Sequence, residues 1–254
     1  MITASTSKSL SERLIVASLA PSPLPSSIVS CADQTTRPDI SARLFTPLLF
    51  GLGAVAIYLI PGANESLQFD RGAIRSGQWW RLLTGHWTHW SFSHLFWDTA
   101  VFVILSACGA GFPARVTAPT CLTSPTRPTG PTAPFATPFL FLPAFLLLSS
   151  LFISSAVWFL APEMTTYRGL SGIDSALFVW VAIRIAQEQF RCSEWMRLSI
   201  VAAVLAGFCF KVSFEYITGA TLFVQSDGVM TPAPLAHVAG AAIAILWITI
   251  YQKS

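Results

Sequence analysis

Charge is what this chain has least of. Only 11% of its 254 residues are Asp, Glu, Lys or Arg, less than half the share of an ordinary soluble domain, which is about 25%. The net charge of +3 is too small and too scattered to argue for nucleic acid. Cysteine excludes other classes by its arrangement. Cys31, Cys108, Cys121, Cys192 and Cys209 form no C-x-x-C pair and no metal spacing, so they read as small apolar residues or free thiols. H-E-x-x-H is absent, and His86, His89 and His94 sit in an aromatic stretch without a set of carboxylates beside them, so no metal is implied. No internal repeat is evident.

What is present is apolar length. Hydrophobic residues make up 53% of the chain, and the apolar runs far exceed the roughly ten residues of a barrel strand, so the fold class is an all-α membrane protein in a lipid bilayer. Residues 1–43 are Ser- and Pro-rich and read as a disordered extension. Within them Ile28-Val29-Ser30-Cys31 has the form of a lipoprotein cleavage box. Against that reading, Leu14–Ala20 is barely long enough for a signal core and is followed by Pro21, Pro23 and Pro25.

Residues 44–254 form the membrane domain, with six expected spans: Leu44–Ile60, Ser91–Gly111, Phe139–Leu160, Gly169–Ile185, Leu198–Ile217 and Pro234–Tyr251. A loop of mixed polarity, Ala63–Trp90, carries Trp79, Trp80, Trp87 and Trp90 as interface anchors. Residues 113–138 are a Pro/Thr-rich, low-complexity linker. Six spans put the N-terminus, the second and fourth loops and the C-terminus on one side, with ten of the fifteen Lys and Arg residues. The positive-inside rule makes that side the cytoplasm, with both termini and the linker there.

The second, fourth and sixth spans then run inward from the outer face. Each carries its unusual polar residues in its first two turns: His94 and Asp98, Ser171 and Asp174, and His237. At 1.5 Å per residue, Ser171 and His237 lie at nearly equal depth, roughly 5 Å below the outer boundary. His94 and Asp98 share a helix face. Ionisable groups in a bilayer are costly and are functional candidates by default. Gly169 and Gly172 flank the serine and let a neighbouring helix or a substrate backbone come close to it. Ser171 also has the plainer reading of a membrane-helix serine bonded to a carbonyl one turn back.

These residues together resemble the rhomboid intramembrane serine proteases, over about Leu44–Ile250. Trp80-Arg81 resembles the family's tryptophan–arginine pair, and His89 and His94 with Leu95 its His-rich start of the second helix. Gly169-Leu170-Ser171-Gly172 is similar to its nucleophile motif, and Ala236-His237 with Gly240 to its histidine motif. The run Gly77–Gly85, Asp98, Tyr167–Gly172 and Lys211–Phe223 are similar to the rhombosortase branch, a bacterial group. Three positions depart from the wider family: Asp98 replaces an Asn, Ser175 an aromatic that stacks on the histidine, and Ala244 a glycine.

The resemblance implies a six-helix rhomboid-like bundle in the bacterial inner membrane, with its active site near the outer, periplasmic face. It implies a serine endopeptidase without cofactor, acting on transmembrane protein substrates that bear a C-terminal Gly-Gly, hydrophobic helix and basic tail sorting signal. Ser171 would attack the scissile carbonyl and His237 would take its proton. The oxyanion would be met by the Ser171 N–H and His94. Asp98 would be protonated, turned away, or holding His94 in its donor tautomer, the last being favoured; the plainer reading is a carboxylate gluing helices. Asp174 suits local hydrogen bonding, and no third catalytic group is evident. Lys211 and Glu215, four apart on the fifth span, are candidates for substrate recognition, and Trp80 and Arg81 fold the first outer loop. Residues near Thr231–Pro234 would cap the site. A catalytically inactive relative that guides membrane clients is the competing class. A transporter fits less well, because the polar residues cluster at one face and not at the midplane. Nothing in the residues bears on oligomeric state.

Overall fold

The computed structural model describes residues 40–109, 138–220 and 233–253. The chain divides after Asp39, and every described residue belongs to the second unit. Most of the expected tail and linker, and Thr231 and Pro232 of the expected cap, lie outside the described residues.

Nine α-helices are described: α1 (Ile40–Leu59), α2 (Ala63–Leu67), α3 (Arg71–Arg75), α4 (Arg81–Thr84), α5 (Phe92–Gly109), α6 (Pro138–Leu160), α7 (Ser171–Arg191), α8 (Trp195–Thr218) and α9 (Pro234–Lys253). Three of them are long and apolar enough to cross a membrane: α5, α6 over Leu142–Leu160, and α8. The apolar cores of α1 and α9, Leu44–Leu59 and Pro234–Ile250, are shorter. Large apolar side chains face outward around the bundle, among them Leu52 (65% exposed), Ile104 (61%) and Phe210 (66%). A soluble surface does not carry apolar cover on that scale, and these helices give an all-α protein of membrane type.

Helix α7 is less apolar because it is not on the outside. It packs against α5, α6, α8 and most extensively α9, and buries Ile173, Ala176, Leu177 and Trp180 together with Asp174, Ser175 and Arg184. Shielded by neighbours, it can carry polar side chains that a lipid-facing helix cannot. Its contact with α9 is close because of glycine. A Cβ on Gly240 would overlap the Gly172 carbonyl oxygen, and one on Gly172 would stand 3.1 Å from the Ala236 carbonyl oxygen. This is the small-residue route to tight helix pairing in membranes.

The Ala63–Trp90 stretch is more structured than a loop. It holds α2, α3, α4, a 3₁₀ turn at Gly85–Trp87, and the strand β1 (Phe69–Asp70). β1 pairs antiparallel with β2 (Thr166–Tyr167), Phe69 opposite Tyr167 and Asp70 opposite Thr166, just ahead of α7. Arginines hold this layer. The buried Arg71 guanidinium donates to the carbonyls of Val157 (3.0 Å), Trp158 (2.8 Å) and Ala161 (2.9 Å), and thereby satisfies the C-terminus of α6. Arg81 donates to the carbonyls of Glu65 and Gln68, each at 2.9 Å, and to Gln78 Oε1 at 2.7 Å. Arg81 is therefore a folding residue, as expected, while Trp80 beside it stays 53% exposed. Arg168 bonds Gln68 Oε1 at 2.7 Å and stacks 4.3 Å over the Trp90 ring.

His86 lies at the base of this layer, fully buried, with Nε2 3.1 Å from both the Ser150 carbonyl and Ser154 Oγ on α6. Burial pushes its imidazole down to about 4.

Candidate active site

The sequence Tyr167-Arg168-Gly169-Leu170 delivers Ser171 to the first position of α7. Gly169 makes the turn at φ +122, and a Cβ there would stand 2.8 Å from His94 Nε2, so strain and space both demand glycine. The Gly169 N–H reaches the Gly85 carbonyl at 3.3 Å, and the Tyr167 hydroxyl donates to the Gly169 carbonyl at 3.0 Å. Burial first, and Asp98 second, push the Tyr167 phenol upward, so it stays a protonated donor.

Asp98, one turn below His94 on α5, anchors the same turn. Its Oδ2 accepts the Leu170 N–H at 3.0 Å and lies 3.1 Å from His94 Nε2 and 3.5 Å from His89 Nε2. Asp98 is therefore not turned away: it bonds α5 to the start of α7 and stands within bonding distance of the His94 ring. The other ring nitrogen of His94, Nδ1, is buried without a hydrogen-bond partner. His89, read from sequence only as part of a His-rich start, shares the carboxylate.

His237 sits one turn into α9, after Pro234, a residue suited to the first helical position. Its ring bridges two helices. Nδ1 faces α7, 2.9 Å from Ser175 Oγ and 3.3 Å from the Ser171 carbonyl oxygen. Nε2 faces α8, 3.4 Å from Glu215 Oε2 and 3.5 Å from Lys211 Nζ. Lys211 in turn lies 2.8 Å from the Glu215 carboxylate. Ser171 and His237 are brought together as expected, but Ser175, not the Ser171 hydroxyl, is bonded to the ring.

Two further expectations change. Lys211 and Glu215 pair with each other as expected, yet they also meet His237, so a carboxylate does stand beside the histidine. Asp174 does not use its local bonds fully: its Oδ1 is buried without a hydrogen-bond partner. Among the described residues no group of His, Cys, Asp and Glu is arranged to hold a metal ion.

The site opens on a cavity of about 1400 Å³. Trp97 and Val101 of α5 border it on one side and Phe208 and Tyr216 of α8 on the other, with Ser171, Asp174, Ser175 and His237 in its wall.

Glu215 and Ser175 had readable signals. Glu215 lies three residues before the end of α8, as His237 lies three after the start of α9, which puts them at one depth. Ser175 is one turn from Ser171 on the same face. No protein-family model matches the chain, and no curated protein matches it.

Proposed function

We propose that the chain is an intramembrane serine endopeptidase of the rhomboid kind, nearest in motif to the rhombosortases. In this reading α1, α5, α6, α7, α8 and α9 are six membrane spans, both termini are cytoplasmic, and the site faces the periplasm across a bacterial inner membrane. The observation that carries it is the meeting of the start of α7 with His237, at one wall of a cavity bordered by α5 and α8. Substrates are transmembrane proteins with a C-terminal Gly-Gly, apolar helix and basic tail, reaching the site sideways from the bilayer.

The chemistry is acyl transfer to Ser171. A rotation of the Ser171 side chain brings Oγ to the nitrogen that now faces its carbonyl oxygen. Oγ then attacks the scissile carbonyl carbon as its proton passes to His237 Nδ1. The oxyanion meets the Ser171 N–H, one of the helix-start amides with no partner inside α7, and the free nitrogen of His94. His237 returns the proton to the leaving amine, and water releases the acyl group by the same steps in reverse order.

A second reading has one observation in its favour. The Ser171 hydroxyl makes no hydrogen bond to His237 among the described residues, as a client-binding, inactive relative would tolerate. An active-site-directed fluorophosphonate separates the two. The endopeptidase is labelled in detergent, and both Ser171→Ala and His237→Ala lose the label; a wild-type protein that is folded and unlabelled decides for the inactive relative.

A further inference from the structure

His237 has two ring nitrogens and two sets of neighbours, and the α7 side accounts for only one of them. On the other side Glu215 is 4% exposed, within an apolar bundle. A carboxylate so placed is expensive unless paired and hydrogen-bonded. Lys211 answers the charge: its Nζ is 2.8 Å from Oε1 and 2.8 Å from Oε2, which fixes the plane of the carboxylate. Lys211 alone would suffice to neutralise it at many points along α8. This pair stands instead where Oε2 is 3.4 Å from His237 Nε2. The carboxylate only accepts, so Glu215 calls for an N–H at Nε2, whereas the Lys211 ammonium 3.5 Å from Nε2 and the Ser171 carbonyl 3.3 Å from Nδ1 call for the opposite tautomer. Of the two groups at Nε2 the carboxylate is the nearer and carries the charge that an imidazolium needs.

We propose that Glu215, steadied by Lys211, is the positioning residue of His237. It holds the proton on Nε2, so that Nδ1 accepts the Ser175 hydroxyl proton across 2.9 Å in the resting site, and it offsets the charge of the imidazolium formed during acyl transfer. This inference rests on the endopeptidase reading above and names the third member of its site. Glu215 itself does not change protonation. The Ser171 proton moves to Nδ1 as the Oγ–C bond forms, and leaves from Nδ1 to the amine nitrogen as the C–N bond breaks. Throughout, the Nε2 proton stays on the ring, bonded to Oε2. The role once open to Lys211 and Glu215, contact with substrate, is not needed to explain the burial of Glu215.

The test uses the full chain in detergent micelles with ¹⁵N-labelled histidine. The chain has four histidines, and His237→Ala identifies the resonance of interest. The ¹⁵N shifts distinguish a ring protonated on Nε2 from one protonated on Nδ1. Replacing the whole pair, Lys211→Met with Glu215→Met, removes both charges and strands neither, which spares the fold. In that variant His237 should lose the Nε2-protonated pattern. The maximal rate of fluorophosphonate labelling should fall about 10²-fold, the scale of general base catalysis, with the apparent affinity for the probe unchanged. Glu215→Gln keeps an acceptor oxygen and should keep the tautomer with a smaller loss of rate. An unchanged tautomer in the double variant overturns the proposal, and so does a changed tautomer with an undiminished rate. A wild-type protein that is not labelled sinks the endopeptidase reading and the catalytic meaning of Glu215 with it. A labelled wild type with an indifferent double variant sinks Glu215 alone.

Discussion

Ser175 Oγ stands 2.9 Å from His237 Nδ1, while Ser171, one turn earlier, offers the same nitrogen only its backbone carbonyl oxygen at 3.3 Å. Of the two hydroxyls on this helix face, the one at Ser175 is therefore the one bonded to the ring. Ser175 is 5% exposed and also lies 2.8 Å from the Ser171 carbonyl oxygen, so its one proton serves either that carbonyl or Nδ1. Ser171 is at the start of α7, where, on the endopeptidase reading, its own N–H serves the oxyanion. The expected outcome is that Ser171→Ala abolishes fluorophosphonate labelling and Ser175→Ala keeps it. Peptide mapping of the labelled protein is the measurement. A label found on Ser175 would move the nucleophile one turn inward.

The second prediction concerns α5. If the His94 nitrogen not held by Asp98 meets the oxyanion, His94→Ala should lower kcat about 10²–10³-fold, the cost of one oxyanion donor. Asp98→Asn retains one acceptor oxygen for two donors, the Leu170 N–H and His94, and so should cost a comparable or smaller factor. Turnover of a membrane substrate at saturation, with thermal unfolding alongside, checks both. Full activity in both variants would leave Asp98 as helix glue and take α5 out of the chemistry.

The third prediction tests the crossing that assembles the site. Gly240→Val puts branched carbon where the Gly172 carbonyl oxygen stands, and α7 and α9 must move apart. Overpacking of this kind costs about 1–3 kcal/mol. Because Ser171 and His237 sit on the two separated helices, labelling should be lost even in the fraction that stays folded. Gly207→Val on α8, where an added Cβ meets nothing within 4 Å, should leave both stability and labelling near wild type. Wild-type labelling in a folded Gly240→Val protein would show that the crossing does not set the site.

What could be read from the sequence follows the physical source of each signal. The long helices announced themselves by apolar length, with ends within a few residues, except that α1 begins at Ile40, inside the expected tail, and α7 runs on to Arg191. The meeting of His94, Asp98, Ser171 and His237 was legible because depth along a helix follows from residue count. The Ala63–Trp90 layer was not, since its short helices are held by side-chain bonds from Arg71 and Arg81 to carbonyls, and such bonds leave no period in a sequence. Glu215 was missed as a partner of His237 because Lys211, one turn away, already explained its charge.

The last prediction concerns pH and the Ala63–Trp90 layer, away from the candidate site. His86 is fully buried, and desolvation pushes it down to about 4 from the usual 6.5. The folded chain therefore holds this ring neutral over a range where the unfolded chain takes up a proton. Its contribution to stability is complete above about pH 6.5 and is lost as pH falls toward 4, which amounts to roughly 3 kcal/mol across that window. His86→Gln has no proton to take up. It should be less stable than wild type at pH 7, because the bonds to Ser150 and Ser154 are disturbed, and the gap should narrow or close by pH 4.5. Reversible unfolding in mixed micelles at the two pH values measures this, with the variant subtracting the carboxylates common to both proteins. A gap between wild type and His86→Gln that stays constant with pH would mean that the buried ring is not what makes this layer acid-sensitive.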